Sequence, residues 1–156
     1  MIKITRFHTV PANGVMLTHA AGHWTTREVG EFVNVYRSNV DRLRTTKWGD
    51  LIVLHQGLEM SEGVSELLKP EIVRASQVGL RAVAIVNLSD NPLINTQSHL
   101  FRIYQDLGIT VCLFAAFEPA CEWLEAHGFI YAANCQEGSM DLFSQTELMD
   151  KKQPAL

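Results

Sequence analysis

Asp50-Leu51-Ile52-Val53-Leu54-His55 is the stretch on which the fold turns. The run Leu51 to His55 is too short for a helix and apolar at both alternating sets of positions, as a strand covered on both faces must be. Such a strand belongs in the middle of a sheet, and its two faces require other elements as cover.

Downstream, Ser61 to Val78 carries Val64, Leu67, Leu68, Ile72 and Val73 at helical spacing. Pro70 lacks an amide donor and clashes with the preceding turn, so the spacing predicts a break there, with Pro70 opening a second short helix. Gly79 suits the left-handed residue that closes a helix, and Arg81 to Leu88, with Ala-Val-Ala-Ile-Val at its centre, reads as a second buried strand. Asp90-Asn91-Pro92 is a helix-start cluster. Leu100, Phe101, Tyr104 and Leu107 form the stripe of the helix that follows, with Gly108 at its end. Ile109 to Phe114 is the last strand. Pro119 suits the first turn of a final helix carrying Trp123 and Leu124, with Gly128 beyond it.

Upstream, Thr25 to Leu43 places Val29, Phe32, Val33, Tyr36, Val40 and Leu43 on one helical face. Thr25 and Glu28 have capping-box spacing, and Trp24 and Val29 occupy the positions of a hydrophobic staple. Ile2 to His8 and Val15 to Ala20 flank Pro11-Ala12-Asn13-Gly14, whose Asn-Gly pair tolerates positive φ, and the two runs read as an antiparallel hairpin. The order is therefore hairpin, helix, strand, helix, strand, helix, strand, helix. Crossover helices of this length imply mostly parallel pairing with right-handed connections. The expectation is one α/β domain over residues 1–130, with a mixed, mostly parallel sheet of about five strands. A weakly periodic tail over residues 131–156 is expected to be partly mobile.

The totals narrow the partners. A chain of 156 residues with 47% hydrophobic and 19% charged residues can bury a core without disulfides or a structural metal. A formal net charge of −4, with no basic run longer than Lys151-Lys152, gives little attraction for nucleic acid. No apolar run approaches the roughly 20 residues of a membrane span, and Met-Ile-Lys-Ile-Thr-Arg opens as a strand rather than a signal peptide, so a cytoplasmic setting is expected. Cys112, Cys121 and Cys135 are odd in number and widely spaced, which predicts reduced, mostly buried thiols rather than a disulfide framework or zinc knuckle.

The element order, with Asp50 to His55, Arg81 to Val86 and Phe117-Glu-Pro-Ala-Cys-Glu-Trp-Leu124, resembles the SpoIIAA-like branch of the STAS fold, over about Ile2 to Phe129. That fold is shared by bacterial anti-sigma-factor antagonists and is similar to the lipid-binding CRAL-TRIO domain. The resemblance implies a regulatory module that works by contact with a protein partner, with a homodimer as one such arrangement. In the antagonists a strand leads through a loop to a helix whose first turn carries a phosphorylatable Ser in an Asp-Ser-x-Gly setting. The matching stretch is Met60-Ser61-Glu62-Gly63, so Ser61 and Gly63 fit while Met60 replaces the acidic residue. Phosphate on Ser61 would sit at a helix N-terminus, where free amides favour negative charge; the same serine serves equally as a plain cap. The CRAL-TRIO likeness implies instead an apolar pocket for a lipid-like ligand between helices and sheet, for which Phe32, Tyr36, Phe101 and Tyr104 are the candidates. The same aromatics read as core packing or as a dimer interface.

Catalytic signals are sparse. No P-loop, Gly-x-Gly-x-x-Gly or Gly-x-Ser-x-Gly element occurs, and no motif calls for a cofactor. His19 and His23, four apart at the end of the second strand, and His55, at the end of the central strand, would form an open metal site if those ends converge, with Glu59 as a further ligand or base. Ordinary hydrogen bonding of histidines at strand ends is the alternative.

Overall fold

A computed structural model describes residues 7–43, 46–56, 58–88 and 94–131. Strands β1 (Phe7–Ala12) and β2 (Val15–Ala20) form the hairpin, with Asn13 at φ 63° in its turn. A short strand β3 (His23–Trp24) precedes helix α1 (Thr26–Val40). Strand β4 (Trp48–Leu54) follows, then β5 (Glu59–Met60), helices α2 (Glu62–Glu66) and α3 (Lys69–Gln77), and strand β6 (Leu80–Asn87). Helix α4 (Ile94–Asp106), strand β7 (Thr110–Phe114) and helix α5 (Phe117–Ala126) complete the described chain.

The main sheet has the order β1-β2-β4-β6-β7, antiparallel between β1 and β2 and parallel throughout the rest. The Leu51 run is accordingly its middle strand. Leu51 and Val53 point to one face with Leu17, Ala84 and Val86, and pack against Ala120 and Leu124 of α5. Ile52 and Leu54 point to the other with Met16, Val83 and Ile85, under residues of α1, α3 and α4. Fully burying a side chain of this size contributes about 1.5–3 kcal/mol, so the two-sided strands are the main apolar anchor of the fold.

Local chemistry sets most boundaries. Thr25 and Glu28 form the reciprocal capping box, so α1 begins one residue after the cap. Pro70 lies in the first turn of α3, and the chain breaks at Leu67–Leu68 between α2 and α3. Gly79 adopts φ +121°, and a Cβ there would meet the Thr46 carbonyl oxygen at 2.1 Å, so this turn into β6 admits no side chain.

Four features differ from expectation. Strand β1 runs Phe7–Ala12 rather than Ile2–His8, so Pro11 and Ala12 pair within the hairpin, and residues 1–6 lie outside the described residues. The parallel pair β3–β5, two residues each, joins the loops after β2 and β4 into a separate small sheet. Two residue pairs are too few to leave a hydrophobic period, so nothing in the sequence marks them. Residue Asp50, expected as the flank of the central strand, lies inside β4 and is 2% exposed. Cys112 and Cys121 are free but only half-buried, whereas buried thiols were expected. The Asp90-Asn91-Pro92 start signal, Cys135 and nearly all of the expected tail fall outside the described residues. Among the described residues no helix is long and apolar enough to cross a membrane.

Candidate functional site

Ser61 caps α2: its Oγ accepts the Val64 amide at 3.2 Å, and the residue is exposed. The short parallel pairing of β5 fixes the loop that delivers it, and Thr96 Oγ1 donates to the Met60 carbonyl at 3.3 Å, tying α4 to the same loop. Between α2 and α4 lies a groove of about 600 Å³ rimmed by Ser61, Glu62, Lys69, His99, Arg102 and Asp106. His99 bridges the two helices, with Nε2 at 2.6 Å from Glu66 and Nδ1 at 3.6 Å from Glu62. A side chain at Gly63 would meet open space, so packing does not demand glycine there.

A second site lies under α1, α3 and α4, on the helix-covered face of β2 and β4. Phe32, Tyr36 and Tyr104, three of the four aromatic candidates, line a cavity there with Trp24, Met60 and Leu100; half-buried Phe101 is not part of its lining. Its volume is about 50 Å³. Drug-sized ligands occupy roughly 300–1,000 Å³, so this cavity holds no lipid in this conformation.

The floor of the cavity is polar. Tyr36 Oη donates to Asp50 Oδ2 at 2.5 Å, and Thr18 Oγ1 lies 3.5 Å from Oδ1. The chain of contacts continues from Thr18 to Thr9 at 3.2 Å, and Asn39 Nδ2 donates to the Thr9 carbonyl at 2.6 Å. Burial pushes the Asp50 carboxyl up to about 7, although the Tyr36 and Thr18 hydroxyls hold it lower than burial alone would. Burial, followed by the nearby Asp50 charge, also raises Tyr36 and Tyr104. Glu71, the other carboxyl lining the cavity, is held by Arg37 at 2.8 Å and Arg74 at 3.4 Å.

The histidines divide differently from the expected triad. His19 and His55 meet, Nδ1 to Nε2 at 2.8 Å, on the sheet face that carries Leu17 and Val53. The third imidazole near them is His8, paired directly across the hairpin from His19 with ring centroids 6.2 Å apart. His23 stands instead on β3, largely exposed, 3.5 Å from Glu59 on β5. The expected convergence of His19, His23 and His55 is thus corrected: β2 ends at Ala20, and Ala21-Gly22 carries His23 away into the small sheet. Burial, then the neighbouring rings of His55 and His8, pushes His19 down to about 3. Among the described residues no group of three or more His, Cys, Asp or Glu is arranged to hold a metal ion.

Cys121 on α5 is no better as a nucleophile, since burial and then Glu118 and Glu122 push its thiol up to about 11.

Comparison with protein-family models, with curated proteins and with solved structures finds no match for this chain. The residues that sequence reasoning missed are Asp50, Thr18 and His8. The signal for His8 was present: a turn centred between Asn13 and Gly14 pairs residues equidistant from it, which sets His8 opposite His19.

Proposed function

We propose that this chain is a non-catalytic regulatory module of the SpoIIAA-like, STAS type, acting through contact with a protein partner at the face formed by the Ser61 loop, α2 and α4. The observation that carries this reading is the position of Ser61. It is an exposed hydroxyl capping the helix that follows the middle strand, at the edge of a groove about 600 Å³ in volume. The order of elements along the chain, a hairpin followed by alternating helices and strands, supports it, because the resemblance rests on that order. The rim mixes acids with Lys69 and Arg102, a pattern suited to a complementary protein surface rather than to a phosphate backbone. Leu67, 45% exposed at the end of α2, adds an apolar contact beside it.

Quantitative affinity capture from source-cell lysates under several growth conditions tests the reading. A stoichiometric protein partner is expected, lost at least tenfold when Arg102→Glu reverses one rim charge and retained by Glu122→Lys on distant α5. Recovery of the bare chain under every condition, or a partner indifferent to Arg102→Glu, would sink it.

A further inference from the structure

The cavity over Asp50 is unlike the rest of the core. Its walls are apolar and aromatic, with Trp24 and Phe32 rings 5.5 Å apart and Phe32 and Tyr36 rings 5.3 Å apart. Its floor is a carboxyl group 2% exposed, placed mid-strand between Gly49 and Leu51 on the face shared with Ile52 and Leu54. A buried carboxylate ordinarily has a cationic partner. Glu71, in the same cavity wall, has two, Arg37 and Arg74. Among the described residues Asp50 has none: it receives one short hydrogen bond from Tyr36, and Oδ1 has only the 3.5 Å approach of Thr18, beyond ordinary O–H···O length. One acceptor oxygen therefore has capacity left, inside a space lined by ring systems.

We propose that this cavity is a binding site for a small organic cation, a protonated amine, with Asp50 as its counter-ion and Trp24, Phe32 and Tyr36 as its aromatic wall. Size sets the class. A volume of about 50 Å³, where one water-sized group needs roughly 10–15 Å³ of such space, accepts only a few heavy atoms. Charge sets the sign, since an ammonium group supplies both the counter-charge and a closer donor to Oδ1 than the Thr18 hydroxyl at 3.5 Å. Ring faces attract a desolvated cation, which favours an alkylated ammonium over a hydrated inorganic ion. This site is separate from the Ser61 face and stands whether or not that face binds a protein.

Isothermal titration of the full chain with methylammonium chloride is the test, with methanol as the neutral counterpart of similar size and potassium chloride as the ionic control. Saturable uptake of one methylammonium per chain is expected at pH 8.5, with no saturable response to methanol or potassium chloride. At pH 5.5, where Asp50 carries a proton, affinity should fall about thirtyfold while methylammonium remains charged. The ionisable groups facing Asp50 are Tyr36 from α1, Glu71 from α3 with its Arg37 and Arg74, and Tyr104 from α4. Asp50→Asn keeps the side-chain shape and should weaken binding at least tenfold; if that variant fails to fold, the pH comparison on the unaltered chain decides. Absence of saturable methylammonium binding at both pH values, an equal response to methanol or potassium, or equal affinity at pH 5.5 and 8.5 would overturn the proposal.

Discussion

The sheet buries one polar centre on each face, and the two behave oppositely. Under α1, the Asp50 carboxyl sits with Tyr36 and Thr18; on the other face His19 meets His55. Burial acts on both by disfavouring charge, so the acid moves up to about 7 and the base moves down to about 3. Each centre is thereby pushed toward its neutral form. The lesson is that equal burial leaves unequal responsiveness: His19 stays uncharged across the neutral range, whereas Asp50 changes charge within it.

The sharpest way to break the comparison is to move the acid by one residue. Leu51 is the sequence neighbour of Asp50 but faces α5, where Leu17, Val53 and Leu124 offer no hydroxyl. Leu51→Asp should cost about 3–5 kcal/mol or more, enough to abolish cooperative unfolding seen by circular dichroism, because the charge would be buried without the Tyr36 and Thr18 donors.

A second measurement separates the two centres by pH. Between 3.8 and about 7 the folded chain keeps a proton on Asp50 that the unfolded chain has lost, so stability from this group falls as pH rises. Between about 3 and 6.5 the unfolded chain protonates His19 while the folded chain does not, so stability from this group rises with pH. In the overlap the two slopes oppose each other, each up to about 1.4 kcal/mol per pH unit. Urea unfolding of Asp50→Asn from pH 4 to 6.5 should therefore reveal a steeper rise in stability with pH than the unaltered chain shows, and His19→Gln a fall. Parallel profiles for all three proteins would refute the assignment.

Smaller effects refine the picture. Tyr36→Phe removes the short donor to Asp50 and should cost about 1–3 kcal/mol at pH 8, with the Asp50 carboxyl titrating higher by carbon-detected NMR. His23→Ala should change stability by less than about 0.5 kcal/mol in the same unfolding assay, because its pairing with Glu59 is largely exposed. A large loss there would mean that the small sheet, not the burial of His19, governs the histidine loops.

How much of this was legible depends on whether the cause is local. The capping box at Thr25, the break near Pro70 and the two-sided central strand each follow from residues within a few positions of one another; the cap stands where the sequence places it, the break falls slightly earlier at Leu67–Leu68, and the strand runs Trp48–Leu54 rather than Leu51–His55. The cavity was half legible: Tyr36 and Tyr104 lie on helical stripes, but its floor requires knowing that Asp50, Thr18 and Tyr36 come from three elements meeting across the sheet. Alternation carries that information in principle, since Asp50 shares its face with Ile52 and Leu54. The apolar run beginning one residue later conceals it. The β3–β5 pairing, set by the approach of two distant loops, had no local cause to read.

Met60 lines both the cavity and the α2–α4 groove. The interior chamber and the outer groove therefore have this one half-buried side chain in common. A substitution at Met60 would therefore be felt on both sides at once.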